Sequence, residues 1–366
     1  MNIDVSALFA PFRVAGLELK NRFVMAPMTR TRSPGGVPTP EVAAYYRRRA
    51  EGGAGLLITE GTVIDRPCAS NNLQVPTIYG EGLRGWRGVV DAVHAAGGRI
   101  WSQLWHVGAL ADPGAPKAFT PSFESPSGLT AAGDPLGAVM SDNDVADTIA
   151  SFARAAADAW HTGFDGIEIH GAHGYLLDQF FWATTNRRTD RWGGATLAER
   201  SRFALEIVRA IRAGIPAGMP LCLRVSQYKI QDYDCQLATS AAEIASWLLP
   251  LAEAGVDIFH CSQREFTGPA FPGAQMNLAE CVKLVTGKPT ITVGSVGLEK
   301  AFYSVHPEPG SPSLKELALR LERGAFDLVA VGRAILADPS FVNKLREGRY
   351  DEIGPFSADL ISAELV

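Results

Sequence analysis

Short apolar segments alternate along the chain with longer segments in which apolar residues recur at helical spacing. The apolar segments have the length of buried strands, and each predicted strand is followed by a helix. The predicted strands cover residues 22–28, 55–59, 99–104, 163–169, 221–225, 256–260, 289–293 and 326–331. Strands and helices in this order favour a parallel sheet of the α/β class that is closed into a (β/α)8 barrel, or TIM barrel.

The predicted helices carry start and stop signals. Thr39 is placed to cap a helix whose first residue is Pro40, and the helix over residues 83–96 ends at Gly97-Gly98. The remaining helices are predicted over residues 142–161, 196–212, 239–254 and 314–323, and from Ile335 or Asp338 onward.

One long segment departs from this alternation. Residues 107–140 are rich in Gly, Pro, Ala and Ser and show no clear period. The alternation resumes after them, so they form an insertion rather than a linker, and long loops of this kind often act as lids. A small N-terminal β-hairpin within residues 8–24 precedes the barrel. Because no break in composition divides the chain, we expect a single domain over residues 1–366.

Composition excludes several classes of protein. The chain has 366 residues, of which 46% are hydrophobic, and this is enough for one large core. A net charge of −5 with scattered Lys and Arg provides no basic surface for nucleic acid. The five cysteines form no CxxC pair, which favours reduced thiols in a cytoplasmic protein. We expect neither a signal peptide nor a membrane span, because no apolar run approaches the roughly 18 residues that a span needs.

Chemistry in such a barrel is expected at the carboxyl ends of the strands, where the loops gather over a rigid core. The fourth predicted strand leads into His170 and His173, which are followed by Tyr175. Other strand ends carry further polar side chains, namely Thr29, Gln103 and Arg224. A lone histidine is most often a core residue, but a pair at this spacing directly after a barrel strand favours a site.

The last two strand ends suggest a site for a phosphate group. They carry Gly294-Ser295 and Gly332-Arg333, whose backbone amides can approach an anion closely, and Arg333 adds a positive charge. Loops after the seventh and eighth strands often bind phosphate in barrels of this kind. One such glycine alone would more simply mark a tight turn, but the two pairs together with Arg333 favour phosphate binding.

Two other kinds of site fit the strand ends less well. Neutral imidazoles bind zinc, but no His-x-His follows the first strand and Glu60 is the only carboxylate at a neighbouring strand end, so we predict no metal. An aldolase that forms a Schiff base needs a lysine in the barrel. No predicted strand contains one, and Lys229, just beyond the fifth strand, is the exception to consider.

Three further features remain open to more than one interpretation. Glu168, inside the fourth strand, is a buried base or a structural partner, and the structural role is favoured. Trp105 is equally well placed to pack in the core or to form a wall of the pocket. Residues 186–194 are charged and rich in turn residues, and we interpret them as a solvated loop that is held by ion pairs.

Several segments, in the same order, resemble the Old Yellow Enzyme family of FMN-dependent ene-reductases, which belongs with the NADH:flavin oxidoreductases and NADH oxidases. They are residues 26–30, 59–62, 102–108, 170–180, 185–190 and 331–334. The most specific of them are HGAHGYLLDQF and TNRRTD, and the resemblance covers nearly the whole chain.

The resemblance implies an FMN flavoprotein that uses NADPH or NADH as its reductant. It implies a cofactor site made by Pro27, Met28, Thr29, Gly61, Gln103, Arg224, Gly294, Ser295, Gly332 and Arg333. Thr29 would contact the flavin near its C4 carbonyl, while Arg224 would stabilise the negative charge that reduction places near N1.

The resemblance also implies the catalytic residues. His170 and His173 would donate hydrogen bonds to the carbonyl oxygen of an α,β-unsaturated substrate, with Trp105 also in the substrate site. Hydride from the reduced flavin would then reach the β-carbon, and Tyr175 would protonate the α-carbon from the opposite face. The expected oxidoreductase is an NADPH dehydrogenase-like ene-reductase that acts on a small molecule and exists as a monomer or homodimer.

The sequence also departs from the family's best-known members. Thr29 groups the chain with threonine-bearing rather than cysteine-bearing members, and the segments 261–266 and 355–359 differ from the usual pattern. The natural substrate therefore stays open. Alternative hypotheses are a flavin enzyme that desaturates or isomerises a biosynthetic intermediate, a flavin-free aldolase or isomerase that binds phosphate, and a barrel that binds without catalysis.

Overall fold

The computed structural model describes residues 4–114, 121–298, 312–361 and 363–365. Eight parallel strands close into a barrel, and the helices that connect them lie outside it. The predicted (β/α)8 fold is therefore confirmed. Within these residues, no helix combines the length and the apolar character that crossing a membrane requires.

The chain begins with the predicted hairpin, which closes the amino-terminal end of the barrel. Strands β1 (Phe12–Val14) and β2 (Leu17–Leu19) pair in antiparallel fashion around a turn at Ala15 and Gly16, both of which have positive φ angles. The hairpin buries Val14 and Leu19 against apolar residues from the interior of the barrel.

The first part of the barrel consists of β3 (Phe23–Met25), α1 (Pro40–Glu51), β4 (Leu56–Val63), α2 (Glu81–Ala95) and β5 (Ile100–Trp105). Thr39 precedes α1 as predicted, although its side chain makes no capping hydrogen bond. Strand β4 continues four residues beyond its predicted end at Thr59. It does so because Glu60 is buried with its carboxylate accepting the backbone N–H groups of Arg30 (2.9 Å) and Thr31 (3.3 Å).

The insertion after β5 is more regular than its composition indicates. It contains four short strands, namely β6 (Glu124–Ser125), β7 (Leu129–Ala131), β8 (Asp134–Pro135) and β9 (Ala138–Val139). These strands pair as β6 with β9 and β7 with β8. The expectation of a segment without regular structure was therefore wrong for this part, because strands of two or three residues are too short to produce a period. Residues 115–120 of the insertion lie outside the described residues.

The chain then completes the barrel. The following elements are α3 (Asp142–Thr162), β10 (Gly166–His173), α4 (Leu176–Phe181), α5 (Leu197–Arg200), α6 (Arg202–Gly214), β11 (Leu221–Lys229), α7 (Ala241–Ala254), β12 (Ile258–Ser262), α8 (Leu278–Thr286), β13 (Thr290–Val293), α9 (Pro312–Glu322), β14 (Leu328–Val331), α10 (Arg333–Ala337) and α11 (Phe341–Arg346). Short 3₁₀ turns lie at Ser6–Phe9, Pro34–Gly36, Tyr350–Glu352 and Ala358–Ile361.

Several helices differ from the prediction. The helix expected over residues 196–212 is divided at Ser201, whose hydroxyl donates to the carbonyl of Leu197. Helix α8, like the short helix α4, has no counterpart among the predicted segments. Its start signal was nevertheless present in the sequence, since Asn277 caps the helix by accepting a hydrogen bond from the backbone N–H of Glu280.

The interior of the barrel is apolar near the amino-terminal end and polar near the carboxyl end. Apolar side chains from most of the strands fill the lower part, including Val24, Leu56, Trp101, Cys222, Ile258, Ile291 and Leu328. Above them lie four buried polar side chains, Gln103, Glu168, Arg224 and His260. Side chains two positions apart on a strand point to the same side of the sheet, so these polar residues face the interior directly above the apolar ones. They form the floor of the candidate site.

Candidate active site

Two adjoining cavities of about 170 and 480 Å³ lie at the carboxyl ends of the barrel strands. Both are lined by Pro27, His173 and Arg224, so they form one continuous site. The smaller cavity also contains the predicted residues Thr29, Gly61, Gln103, Trp105, His170 and Tyr175. The larger one contains Met28, Gly294, Ser295, Gly332 and Arg333. The structure thus brings every predicted site residue to one of the two cavities.

Three aromatic side chains at and just beyond the end of β10 are in contact through His170 in the smaller cavity. The ring centroids of His170 and His173 are 5.2 Å apart, and those of His170 and Tyr175 are 4.8 Å apart, both in edge-to-face contact. The pairing of β10 with β11 shifts register between Gly171 and His173, and His173 has a φ of 65°. This irregularity re-aims the side chains, so that residues two and three positions apart reach the same cavity.

The electrostatic environment keeps these three groups neutral at pH 7. Burial, assisted by the positive charge of Arg224, lowers the pKa of His170 to about 3 and moves the pKa of His173 in the same direction. Burial also raises the pKa of the Tyr175 phenol to about 12. Nδ1 of His170 accepts the backbone N–H of Ala172 at 3.3 Å, so the single proton of its neutral ring lies on Nε2.

Glu168 connects the polar side chains below the cavity. Its carboxylate lies 2.7 Å from Nε2 of Gln103 and 2.7 Å from Nδ1 of His260. Burial opposes its ionisation, but His260, Arg224 and these hydrogen bonds together lower its pKa to about 2. Glu168 lines neither cavity and orients the Gln103 amide at the cavity floor, which agrees with the favoured structural role.

Trp105 both packs in the core and forms a wall of the pocket, the two positions that the sequence left open. Its side chain is buried, and it lines the smaller cavity with its ring centroid 5.1 Å from that of Tyr175. A Cβ atom on Gly61 would lie 3.0 Å from the Trp105 ring. The absence of a side chain at Gly61 therefore allows the backbone of β4 to pass directly beside this wall of the cavity.

The larger cavity ends in a cationic, glycine-rich region. Gly294 has a φ of 146°, and a Cβ atom there would lie 2.6 Å from the carbonyl oxygen of Gln263. The Ser295 hydroxyl donates to the carbonyl of Arg264 at 2.9 Å. Arg333 is half-buried, and its guanidinium lies 5.6 Å from the ring centroid of Phe356. Burial and the neighbouring Arg264 lower the pKa of Arg333. Two positive side chains therefore lie at this end of the site.

Several cavity residues escaped the sequence analysis. They include Tyr228, Tyr233, Ser262, Gln263, Arg264, Phe356 and Ile361. Tyr228 was missed because β11 was expected to end at residue 225. Most of the others belong to the segments 261–266 and 355–359, and the departure of these segments from the family pattern was the available signal.

Lys229 requires a correction. It was placed just beyond the fifth strand, but β11 extends to it and its side chain is fully buried. Its Nζ lies 2.8 Å from Oδ1 of Asp178 and 3.0 Å from the carbonyl oxygen of Gln227. Lys229 lines neither cavity. It therefore has the surroundings of an ion-paired ammonium group and not those of an amine that forms a Schiff base.

Residues 186–194 form a largely solvated loop, as expected, since residues 187, 189–191 and 194 are exposed, but part of the loop is buried. Asn186 is buried and donates to the carbonyls of Phe180 and Trp192. The Arg188 side chain is only 8% exposed, and it contacts both Asp190 and the carbonyl of Pro126. The expected ion pair exists, and the side chains of Asn186 and Arg188 also connect the loop to α4 and to the insertion.

The described parts of the chain contain no cluster of three or more His, Cys, Asp or Glu side chains that could hold a metal ion. Cys68, Cys222, Cys235, Cys261 and Cys281 are all free thiols. The site instead combines hydrogen-bonding side chains at the small cavity with glycines and Arg333 at the far end. A (β/α)8 barrel with this arrangement is of the class that binds an extended, phosphate-bearing cofactor.

Comparison with known proteins identifies the family. Residues 7–352 match the model of the NADH:flavin oxidoreductase / NADH oxidase family. The chain belongs to this family, that of Old Yellow Enzyme, and is an NAD(P)H-dependent oxidoreductase with FMN as its cofactor.

Individual relatives extend over almost the whole chain. The chain is 34% identical to the putative 12-oxophytodienoate reductase 2 of Oryza sativa subsp. japonica, over 96% of this chain and 91% of that protein. The structure of morphinone reductase in complex with tetrahydroNAD aligns with a TM-score of 0.79 and 28% identity, over 97% and 94% of the two chains. The Old Yellow Enzyme homologue from Zymomonas mobilis gives 0.81 and 25%, over 98% and 97%.

Proposed function

We propose that this protein is an ene-reductase, which transfers hydride from NADPH or NADH through FMN to the activated C=C bond of α,β-unsaturated carbonyl or nitro compounds. The observation that carries the proposal is the convergence of His170, His173 and Tyr175 on one cavity beside Arg224. Two neutral donors and a phenol are the groups needed to bind a carbonyl oxygen and to deliver a proton.

The residues around the two cavities fit FMN. We assign Thr29, Gly61, Gln103 and Arg224 to the polar edge of the ring system, with Pro27 and Met28 against it. Nε of Arg224 is buried and has no hydrogen-bonding partner among the described residues, which supports a role toward a bound group. We assign the phosphate to Gly294, Ser295, Gly332 and Arg333. The Ser295 hydroxyl already donates to Arg264, so the backbone of Ser295 is its available contact.

Bound FMN supplies the hydride, and the residues of the chain prepare the acceptor. The N–H groups of His170 and His173 bind the carbonyl or nitro oxygen of the substrate. These neutral donors withdraw electron density from the alkene and stabilise the negative charge that develops on the oxygen. The β-carbon consequently becomes the more electrophilic end of the double bond.

Tyr175 then protonates the α-carbon, which balances the hydride gained at the β-carbon. Its pKa of about 12 keeps the phenol protonated until the substrate carries enolate-like charge. Its ring contacts His170 on one side and Trp105 on another, and these contacts restrict its orientation. The phenol is thereby held beside the ring of His170 in the smaller cavity.

The proposal is tested on the purified protein. We expect it to be yellow, with a flavin spectrum in the visible range, and to oxidise NADPH or NADH only slowly until 2-cyclohexenone is added. Formation of cyclohexanone should match the nicotinamide consumed. A protein that takes up no FMN, or that holds FMN which neither nicotinamide reduces, would exclude the proposed reaction.

A further inference from the structure

The ring of His173 contacts a residue of β12, which lies two strands away from β10 in the barrel. Its Nε2 lies 2.8 Å from Oγ of Ser262, the last residue of β12. Ser262 is buried and, like His173, lines the larger cavity. The backbone N–H of His173 donates to Oγ of Ser226 at 3.0 Å. Hydroxyl groups therefore hold both the main chain and the ring of His173.

This contact bears on the tautomer of His173. The imidazole is neutral because burial and Arg224 lower its pKa, so one ring nitrogen carries a proton and the other carries a lone pair. The direction of the Ser262 hydrogen bond decides which nitrogen is which. If the hydroxyl donates to Nε2, the proton lies on Nδ1; if it accepts, Nδ1 has no proton to offer to a ligand.

The surroundings of the hydroxyl favour donation. Among the described residues, the other polar contact of the Ser262 Oγ is the phenolic oxygen of Tyr228 at 3.5 Å, a long contact in which either oxygen could donate. If Nε2 of His173 donated to Ser262, the serine proton would have only this long contact as its acceptor, whereas donation to Nε2 gives the proton an acceptor at 2.8 Å. The ring of Tyr228 packs against that of His173 with centroids 5.2 Å apart, so the three side chains form one continuous contact.

We propose that Ser262 is a positioning residue that donates its proton to Nε2 of His173 and so fixes the ring proton on Nδ1. His170 has the opposite arrangement, since its Nδ1 accepts from the backbone and its proton lies on Nε2. The two histidines then offer N–H groups from different ring nitrogens to the same ligand oxygen. The identity of that ligand oxygen rests on the proposed function, whereas the tautomer does not.

The tautomer is measured directly by NMR of the FMN-loaded protein with ¹⁵N-labelled histidine. The signals of His173 are assigned from their loss in His173→Asn. We expect the wild type to show protonated Nδ1 and unprotonated Nε2. Ser262→Ala should lose this preference, while Ser262→Thr, which keeps a hydroxyl, should retain it. The Nε2–H tautomer in the wild type, or an unchanged tautomer in Ser262→Ala, would overturn the proposal.

Ligand binding gives a second readout. Phenols such as p-hydroxybenzaldehyde place an oxygen where the substrate oxygen is expected, and their binding is followed by the charge-transfer absorbance. Ser262→Ala should bind this phenol about 2- to 10-fold more weakly, as expected for one mispositioned hydrogen bond. Ser262→Thr should bind it within about twofold of the wild type. Equal affinity in all three proteins would contradict the role of Ser262.

Two further measurements distinguish an effect of Ser262 from one of Tyr228, and failure of this proposal from failure of the proposed function. Tyr228→Phe keeps the ring against His173 and removes only the hydroxyl, so we expect its His173 signals to keep the wild-type pattern. A change as large as that in Ser262→Ala would assign the effect to Tyr228 instead and overturn the proposal. If the wild type fails to reduce 2-cyclohexenone, the proposed function falls, while the NMR result still decides the tautomer.

Discussion

The ring of Tyr175 lies edge-on against the ring of His170, with a centroid distance of 4.8 Å and an angle of 78° between the planes. Trp105 contacts Tyr175 at 5.1 Å in the same manner. The phenol is thereby confined between a hydrogen-bond donor and an apolar wall, within the smaller cavity. The pair thus joins the group that would bind the substrate oxygen to the group that would donate the proton.

Tyr175→Phe separates the two halves of the proposed reaction. The variant keeps the ring contacts and loses only the acidic proton, so we expect reduction of 2-cyclohexenone to slow about 10²- to 10⁴-fold. Reduction of the bound flavin by NADPH needs no proton from Tyr175 and should change by no more than about twofold. Stopped-flow measurement of each half-reaction tests this. An equal loss in both halves would refute the assigned role.

His170→Ala should weaken the binding of phenols. The variant removes one of two donors to an oxygen that carries negative charge, and the affinity for p-hydroxybenzaldehyde should fall by about tenfold or more. The measurement is the charge-transfer absorbance during a titration. His161→Ala, at the exposed end of α3, is the matched control and should bind the phenol like the wild type. Indistinguishable titrations for the two variants would count against the role of His170.

Arg333→Ala should weaken the binding of FMN. A guanidinium that bonds a phosphate contributes a charge-assisted hydrogen bond, so we expect the dissociation constant of FMN to rise about 10- to 100-fold. Fluorescence titration of the apoprotein with FMN measures this. Arg346→Ala removes an equally large cation from the exposed face of α11, near Phe9, and should have no such effect. If Arg333→Ala bound FMN with wild-type affinity, Arg333 would not be part of the phosphate site.

Lys229→Met should destabilise the protein, although Lys229 lines neither cavity. The variant leaves the fully buried carboxylate of Asp178 without its cation, at an expected loss of about 3–5 kcal/mol in the free energy of unfolding. Unfolding in urea measures the loss. The double variant Lys229→Met/Asp178→Asn has no buried charge at this pair and should recover much of it. If Lys229→Met were as stable as the wild type, the ion pair of Lys229 and Asp178 would not be effectively desolvated.

Glu60 makes stability depend on pH. Burial raises the pKa of its carboxyl from 4.5 to about 7, although the N–H groups of Arg30 and Thr31 act in the opposite direction. The folded state therefore binds this proton more tightly than the unfolded state. The resulting stabilisation is full below pH 4 and is lost as the pH rises to 7, with an upper limit of about 3 kcal/mol.

Glu60→Gln removes this titration while keeping an oxygen that can accept from Arg30. We expect the stability of the variant relative to the wild type to be greater at pH 8 than at pH 5. Urea unfolding at the two pH values measures the difference, and other titrating groups cancel in the comparison. Parallel pH dependence in the two proteins would mean that Glu60 ionises at its ordinary pKa.

Local patterns were sufficient to predict the architecture. Apolar runs of strand length, separated by amphipathic segments, identified the eight barrel strands, and closure of a parallel sheet brings their carboxyl ends together whatever the details. Capping interactions are equally local, although Thr39, which was predicted to cap α1, makes no capping hydrogen bond. Ser141 and Asp144 form a capping box at the start of α3, and this interaction spans only three residues. Such features are decided by neighbours along the chain.

The same local reasoning failed where a polar side chain is satisfied from far away. Strand β4 continues through Glu60 because Arg30 and Thr31 donate to it, and β11 continues to Lys229 because Asp178 accepts from it. A polar residue in a strand pattern normally indicates the end of the strand. The exception arises when a partner dozens of residues away completes its hydrogen bonds.

The hydrophobic pattern therefore determines that this chain forms a barrel, and the motif from His170 to Tyr175 predicts where its chemistry is expected. Only the closed tertiary structure decides that Ser262 meets the ring of His173, that Glu168 connects Gln103 to His260, and that Phe356 reaches Arg333. Each of these pairs joins distant parts of the chain. Their contact depends on strand register and on loop packing, and the periodicity of a single segment does not contain that information.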